Sequence, residues 1–132
     1  MSDQDHLRVR EVMKSDVDFV DGMATVGEAL ARMKHVETKC LVVNKRGPQD
    51  EVALLLISDI ARHVLARDRA PERVNVYEVM RKPVLSVDPE MRIHHCARLL
   101  TQFELSRAPV VERREVIGIV SFTDLVLKGM VR

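Results

Sequence analysis

Apolar residues recur at helical spacing in two stretches of the chain, and two short aliphatic runs follow each stretch. The first stripe starts at Val26 and the second at Ile93, and both continue at i+3, i+4, i+7 and i+10, as one face of a helix requires. The aliphatic runs, interrupted by polar turns, are typical of strands. The stripes are Val26, Ala29, Leu30, Met33 and Val36, and Ile93, Cys96, Ala97, Leu100 and Phe103; the runs are 41–43, 52–57, 109–111 and 116–120.

The same order of elements occurs twice because the chain contains an internal repeat. VREVM at 9–13 returns as VYEVM at 76–80, 67 positions later, and Val20-Asp21 returns as Val87-Asp88 at the same offset. Each half reads strand, helix, strand, strand, helix, with Thr25 and Glu28 as a capping box for the first helix. A charged segment that contains a proline separates the halves. The sequence therefore predicts repeat 1 at 9–68, a linker at 69–75 and repeat 2 at 76–130.

Composition narrows the class of protein without naming its function. The chain has 132 residues, 46% of them hydrophobic and 31% charged, with a net charge of +1 and no tryptophan. A balanced charge and scarce aromatics disfavour a nucleic-acid surface. The longest aliphatic run, 52–57, is far shorter than the ~18 residues of a membrane span. Since the first residues resemble no secretion signal, we expect a cytoplasmic protein with neither nucleic acid nor membrane as partner.

The cysteines and histidines do not form a metal-binding pattern. Cys40 and Cys96 are isolated and lie beside aliphatic residues, so we expect buried thiols and no disulfide. His94, His95 and Cys96 are consecutive, but successive helix residues point about 100° apart and cannot face one ion together. The sequence therefore predicts no metal site.

Four motifs in a fixed order resemble those of a known family. They are the VxEVM lead-in, the VDP turn at 87–89, the APVV strand at 108–111 and GIVSFTDL at 118–125. Together they resemble tandem cystathionine-β-synthase (CBS) domains over roughly residues 9 to 130. The resemblance implies an α/β (α+β) fold of two pseudo-symmetric βαββα repeats packed as one module. It also implies ligand clefts between the repeats and a module built to dimerise.

The repeat leaves little chain for a catalytic domain. The sequence contains neither GxGxxG nor GxxxxGK[ST], so the common nucleotide-handling loops are absent. No nucleophile, base and orienting group occur at recognisable spacing. We therefore predict that the chain is not an enzyme and requires no cofactor.

The resemblance assigns the end of the last strand to ribose binding. Ser121 and Asp124 match the family's Ser/Thr-x-x-Asp element, with Thr123 between them. An aspartate can accept hydrogen bonds from two vicinal hydroxyls, and a helix start suits ribose or phosphate oxygens. In the alternative interpretation, Asp124 or Thr123 simply caps the helix.

Further site residues are also implied by the resemblance. Adenine is expected in an apolar slot against Lys82, Pro83, Val84, Ala108 and Pro109. Phosphates need cations, for which Arg107 is the first candidate and Arg62, His63 and Lys128 are the next. For each of these cations, a solvated surface charge is the alternative.

The first repeat departs from this pattern. It keeps Asp59 but has Leu56 where the second repeat has Ser121, so its cleft is expected to be empty or to accept a less polar ligand. Our preferred hypothesis is a non-catalytic sensor that binds an adenosine-containing ligand of the AMP/ADP/ATP class and signals, as a homodimer, to an unidentified regulated protein. The alternative is an interaction scaffold with vestigial clefts.

Overall fold

A computed structural model describes residues 6–131 of the chain. Short helices and strands alternate along it in an α+β arrangement, as the repeat pattern predicts. The helices are α1 (Val9–Val12), α2 (Val26–Arg32), α3 (Ile57–Ile60), which continues as a π-helical turn (Ala61–Leu65), α4 (Ile93–Gln102) and α5 (Phe122–Gly129). The strands are β1 (Phe19–Val20), β2 (Cys40–Val43), β3 (Ala53–Leu56), β4 (Arg107–Glu112) and β5 (Glu115–Ser121). Three single 3₁₀ turns cover Val36–Thr38, Pro71–Arg73 and Val76–Glu78.

Val17–Val84 form one compact unit around a three-stranded sheet. β1 runs parallel to β2, and β2 pairs antiparallel with β3, so that Val20 lies opposite Val43 and Val43 opposite Ala53. Aliphatic residues from all three strands, α2 and the π-helical turn form its core, which is why nearly every strand position is apolar. Core residues include Val20, Val26, Ala29, Leu41, Val43, Leu55, Val64 and Val76.

The second compact unit includes residues 85–131 and has a two-stranded sheet in the corresponding place. β4 and β5 form an antiparallel hairpin, and Val87 makes an isolated parallel bridge to Val110. Val87 and Val110 follow Val20 and Val43 by 67 positions, so the bridge corresponds to the β1–β2 pairing of the first unit. Core residues include Val9, Val12, Ile93, Cys96, Leu100, Val110, Val120 and Leu125.

Each compact unit combines residues from both sequence repeats. Residues 6–16 group with the second repeat, and the corresponding lead-in of the second repeat groups with the first. Each lead-in is held by a two-bond antiparallel backbone bridge, Lys14 with Ile119 and Arg81 with Leu54, with N···O distances of 2.9–3.1 Å. The two repeats have therefore exchanged their VxEVM segments.

The helices confirm the predicted core stripes except at the ends. The Thr25–Glu28 capping box is present, and Val26 and Ala29 are buried. α2 ends at Arg32, and the Asp18 carboxylate then accepts hydrogen bonds from the backbone amides of residues 34 and 35. Val36 and Phe103 follow the ends of α2 and α4 and are solvent-exposed, contrary to the prediction. Leu30, inside α2, is also exposed.

Cys40 and Cys96 are buried thiols, as predicted. Burial raises the pKa of the Cys96 thiol to about 11, so this side chain is protonated at neutral pH and packs as a small apolar group.

No helix within residues 6–131 combines the length and the apolar character needed to cross a bilayer.

Candidate functional site

Ser121 and Asp124 form a closed hydrogen-bonded pair where β5 ends and α5 begins. The Ser121 hydroxyl accepts a hydrogen bond from the Asp124 amide at 3.2 Å. In return, Asp124 Oδ2 accepts from the Ser121 amide at 3.0 Å and from its hydroxyl at 2.9 Å. This is a capping box, so the capping role considered for Asp124 is present. Thr123 is exposed and makes no cap.

The Asp124 carboxylate is buried and surrounded by cations. Only 2% of its side chain is exposed. Its Oδ1 accepts a hydrogen bond from Lys14 Nζ and lies 3.3 Å from Lys128 Nζ. Burial pushes the pKa of Asp124 upward, but the hydrogen bonds from Lys14 and Ser121 outweigh it and leave the pKa below its usual value. The group is therefore a buried, ionised hydrogen-bond acceptor at neutral pH.

Asp59 occupies the corresponding place between β3 and α3. Its side chain is 3% exposed, and Arg81 donates to both oxygens, with Nε 2.7 Å from Oδ2 and Nη2 3.1 Å from Oδ1. Arg62 Nη1 adds a contact at 3.3 Å to Oδ1. The hydrogen bonds from Arg81 lower the pKa of Asp59. Leu56, at the N-cap of α3, contributes no side-chain hydrogen bond.

The two carboxylates are thus held by equivalent residues from exchanged segments. Lys14 and Arg81 each follow directly after the repeated VxEVM motif, 67 positions apart. Sequence reasoning missed both residues. The available signal was a basic residue at the same repeat position in each half, which becomes meaningful only once the exchange of lead-ins is known.

The predicted cation Arg107 lies in the same unit as Ser121 and Asp124. β4 and β5 pair so that Arg107 is directly opposite Ser121, and Arg107 is half-buried. Ala108 and Pro109 follow it as buried strand residues. The structure therefore brings Arg107 to the strand end that holds the capping box.

Lys82, Pro83 and Val84 belong to the other compact unit. Lys82 Nζ lies 2.6 Å from Asp50 Oδ1, while Pro83 is exposed and Val84 half-buried. The hydrogen bond from the Arg46 amide lowers the pKa of Asp50 to about 2, and the hydrogen bond from Lys82 makes the next largest contribution to this shift. Lys82 is therefore engaged in an ion pair within its own unit, and an adenine-binding role for this segment stays a prediction.

The remaining first-repeat candidates gather near Asp59. Arg62 and His63 lie at the junction of α3 and the π-helical turn, and His63 is half-buried. The charge of His63 contributes to the lowered pKa of Asp59, after the larger effect of Arg81. Their part in phosphate binding stays a prediction.

Comparison with curated proteins finds relatives over most of the chain. It is 29% identical over 122 residues to the CBS domain-containing protein YhcV of Bacillus subtilis, covering 92% of this chain and 85% of YhcV. It is 27% identical over 128 residues to the mitochondrial CBS domain-containing protein CBSX3 of Arabidopsis thaliana, covering 89% of this chain and 62% of that protein.

Solved structures share the fold. A hexameric CBS-CP12 protein from bloom-forming cyanobacteria matches with a TM-score of 0.89 and 35% identity, over 94% of this chain and 72% of that one. A putative signal-transduction protein with CBS domains from Burkholderia ambifaria matches with a TM-score of 0.75 and 25% identity, over 88% and 84%.

The family model for the CBS domain matches twice, at residues 9–66 and 76–129. The first matched range contains Asp59 and the second contains Asp124. The chain belongs to the CBS domain family.

Proposed function

We propose that this chain is a non-catalytic regulatory module that binds an adenosine-containing ligand of the AMP/ADP/ATP class through Asp124. CBS pairs are generally regulatory modules that bind adenosyl ligands, which supports the proposal. The observation that carries it is a buried, ionised carboxylate beside a hydroxyl at a strand-to-helix junction. No cofactor takes part in this function.

The chemistry of the junction suits a ribose. The vicinal hydroxyls can donate to Asp124, and the Ser121 hydroxyl can rotate its proton away from Oδ2 toward the ligand. Arg107, across the hairpin from Ser121, supplies a guanidinium that can pair with a phosphate.

A thermal-shift experiment with AMP, ADP and ATP tests this proposal. A ligand at about 100 times its Kd stabilises the folded protein by about 2.7 kcal/mol, so the melting temperature should rise. 2′-Deoxy-AMP is the matched control because it lacks one of the hydroxyls that would donate to Asp124. Its loss of one hydrogen bond should weaken binding by roughly five- to a hundredfold.

The alternative function is an interaction scaffold whose clefts hold no ligand. The observation that favours it is that Asp59 and Asp124 both have internal cationic partners, as purely structural carboxylates would. An unchanged melting temperature with all three nucleotides at millimolar concentration would support the scaffold and reject the ligand-binding proposal.

We further propose that the chain forms a homodimer. The residues after Asp124 leave an apolar face exposed, with Val126 46%, Leu127 60% and Met130 56% accessible. Leu65 of the first repeat is 77% accessible. Burying such surface between subunits stabilises the assembly by about 25 cal/mol per Å². Other aliphatic residues of the same two segments belong to the cores instead: Ile60, Val64 and Leu125.

Light scattering should therefore give about twice the 15.1 kDa of one chain at micromolar concentration. Met130→Glu introduces a charge on the exposed face and should shift the mass toward the monomer. Leu30→Glu is the control, since Leu30 is 40% exposed on another helix. A wild-type protein that stays monomeric would contradict the prediction.

A further inference from the structure

We infer that the cation delivered by each exchanged lead-in decides which of the two carboxylates can bind ribose: Arg81 holds both oxygens of Asp59, whereas Lys14 can yield Oδ1 of Asp124 to an incoming hydroxyl. The inference rests on the proposed function and names the residues that determine which site is used. It follows from the difference between the two cations at otherwise equivalent positions.

The backbone anchors of the two cations are the same. Lys14 exchanges two backbone hydrogen bonds with Ile119, and Arg81 exchanges two with Leu54. Both side chains therefore start from a fixed strand-like position next to their carboxylate. The difference between the two sites must come from the side chains.

Arg81 covers both oxygens of Asp59. Its Nε and Nη2 donate at 2.7 Å and 3.1 Å to different oxygens, in the fork that matches guanidinium to carboxylate. A ribose diol would bind in the same pattern, with one donor for each oxygen. The diol therefore competes directly with the Arg81 fork, which has to leave as a rigid unit.

Lys14 Nζ donates a hydrogen bond to Oδ1 of Asp124. An ammonium is a point charge on a flexible stem, so it can pivot around one oxygen while staying close to the carboxylate. Lys128, the second cation on Oδ1, is 47% exposed and 3.3 Å away, and Oδ2 is held by a hydroxyl that can rotate. Asp124 can thus exchange partners without losing its neutralising charge.

Titration calorimetry with AMP on charge-conserving variants of the full chain tests the inference. Lys14→Arg places a fork at Asp124 and should weaken AMP binding by about tenfold, the equivalent of one charge-assisted hydrogen bond. Lys34→Arg is the control: it makes the same lysine-to-arginine change at an exposed position of the other compact unit and should leave the affinity within about twofold.

The converse experiment opens the first repeat. Leu56→Ser restores the hydroxyl found in the second repeat but keeps Arg81, and AMP should still bind at one site per chain. Adding Arg81→Lys to Leu56→Ser should produce a second binding event. Arg62→Lys in place of Arg81→Lys is the control, since Arg62 is 63% exposed, and it should produce none.

Several results would overturn the inference. The cations do not control which site is used if Lys14→Arg binds AMP as tightly as the wild type, or if Leu56→Ser alone opens a second site. Either result leaves the proposed function intact. A wild type that binds no AMP rejects the proposed function and the inference together. Melting curves without ligand identify any variant that is unfolded. If Lys14→Arg is unfolded, Lys14→Met replaces it. A weaker AMP affinity in Lys14→Met would show that Lys14 assists binding and would overturn the inference.

Discussion

Asp124→Ala is expected to abolish most adenosine-ligand binding, whereas Asp59→Ala should have a much smaller effect. Both aspartates are buried and ionised, but only Asp124 has a hydroxyl three residues before it, Ser121 against Leu56. A ribose beside Leu56 would lack one hydrogen-bond partner, at a cost of about 1–3 kcal/mol, or a roughly five- to hundredfold weaker site. Titration calorimetry on both variants measures the difference.

Two controls separate binding from folding in this comparison. Asp124→Asn keeps the size of the side chain but removes its charge, so it should weaken binding while packing in the same space. Urea unfolding of each variant reports stability, since the lost carboxylate also removes the α5 capping box, worth about 1 kcal/mol. Equal losses of affinity in Asp59→Ala and Asp124→Ala would show that the sites are equivalent, and normal binding by Asp124→Ala would remove Asp124 from the site.

The internal offset was enough to predict the local topology of both repeats. Val20 pairs with Val43, and Val87, 67 positions later, bridges to Val110. Equivalent positions thus make equivalent pairings, because the same aliphatic residues are buried at these positions in both repeats. In the second repeat, the single Val87–Val110 bridge takes the place of the two-residue strand β1 of the first repeat. The apolar pattern of the sequence does not reveal this difference.

The exchange of the lead-in segments could not be predicted from the sequence. Val9 and Val12 have the same spacing and chemistry as Val76 and Val79, so either pair could fill the apolar surface of either repeat. Which pairing forms depends on the path of the whole chain rather than on local preference. The Lys14–Asp124 ion pair joins residues 110 positions apart, and no local sequence pattern predicts such a contact.

Part of the candidate site was nevertheless accessible from the residues alone. Ser121 and Asp124 hydrogen-bond to each other because they are close in sequence and share a helix N-terminus, so the structure contains the capping role that was the alternative interpretation of Asp124, and their ribose binding stays a prediction. The cations that neutralise the aspartates arrive from distant segments, and their identity, Lys in one repeat and Arg in the other, makes the two sites chemically different. The sequence pointed to Leu56 in place of Ser121, and to Leu41 in place of Pro109, but not to the difference between the two cations.

The exchange also makes one glycine sensitive to substitution. Gly118 lies in β5 opposite Val110, and Ala53 occupies the same place in β3, opposite Val43. Comparison of the two repeats alone would therefore predict that alanine is tolerated in place of Gly118. A Cβ on Gly118, however, would lie 2.7 Å from the Lys14 carbonyl oxygen and 2.7 Å from Met13 Sδ. Because the first of these atoms is backbone, the lead-in itself would have to move.

We therefore expect Gly118→Ala to lower the free energy of unfolding by about 1–3 kcal/mol, as overpacking of a buried contact does. Urea unfolding followed by circular dichroism measures the loss as a lower midpoint. Gly47→Ala is the control: a Cβ there meets nothing within 4 Å, and the loss of chain entropy in the unfolded state should leave that variant equally stable or slightly more so. If Gly118→Ala unfolds at the wild-type midpoint, the lead-in does not pack closely against β5, and the placement of Lys14 beside Asp124 loses its structural basis.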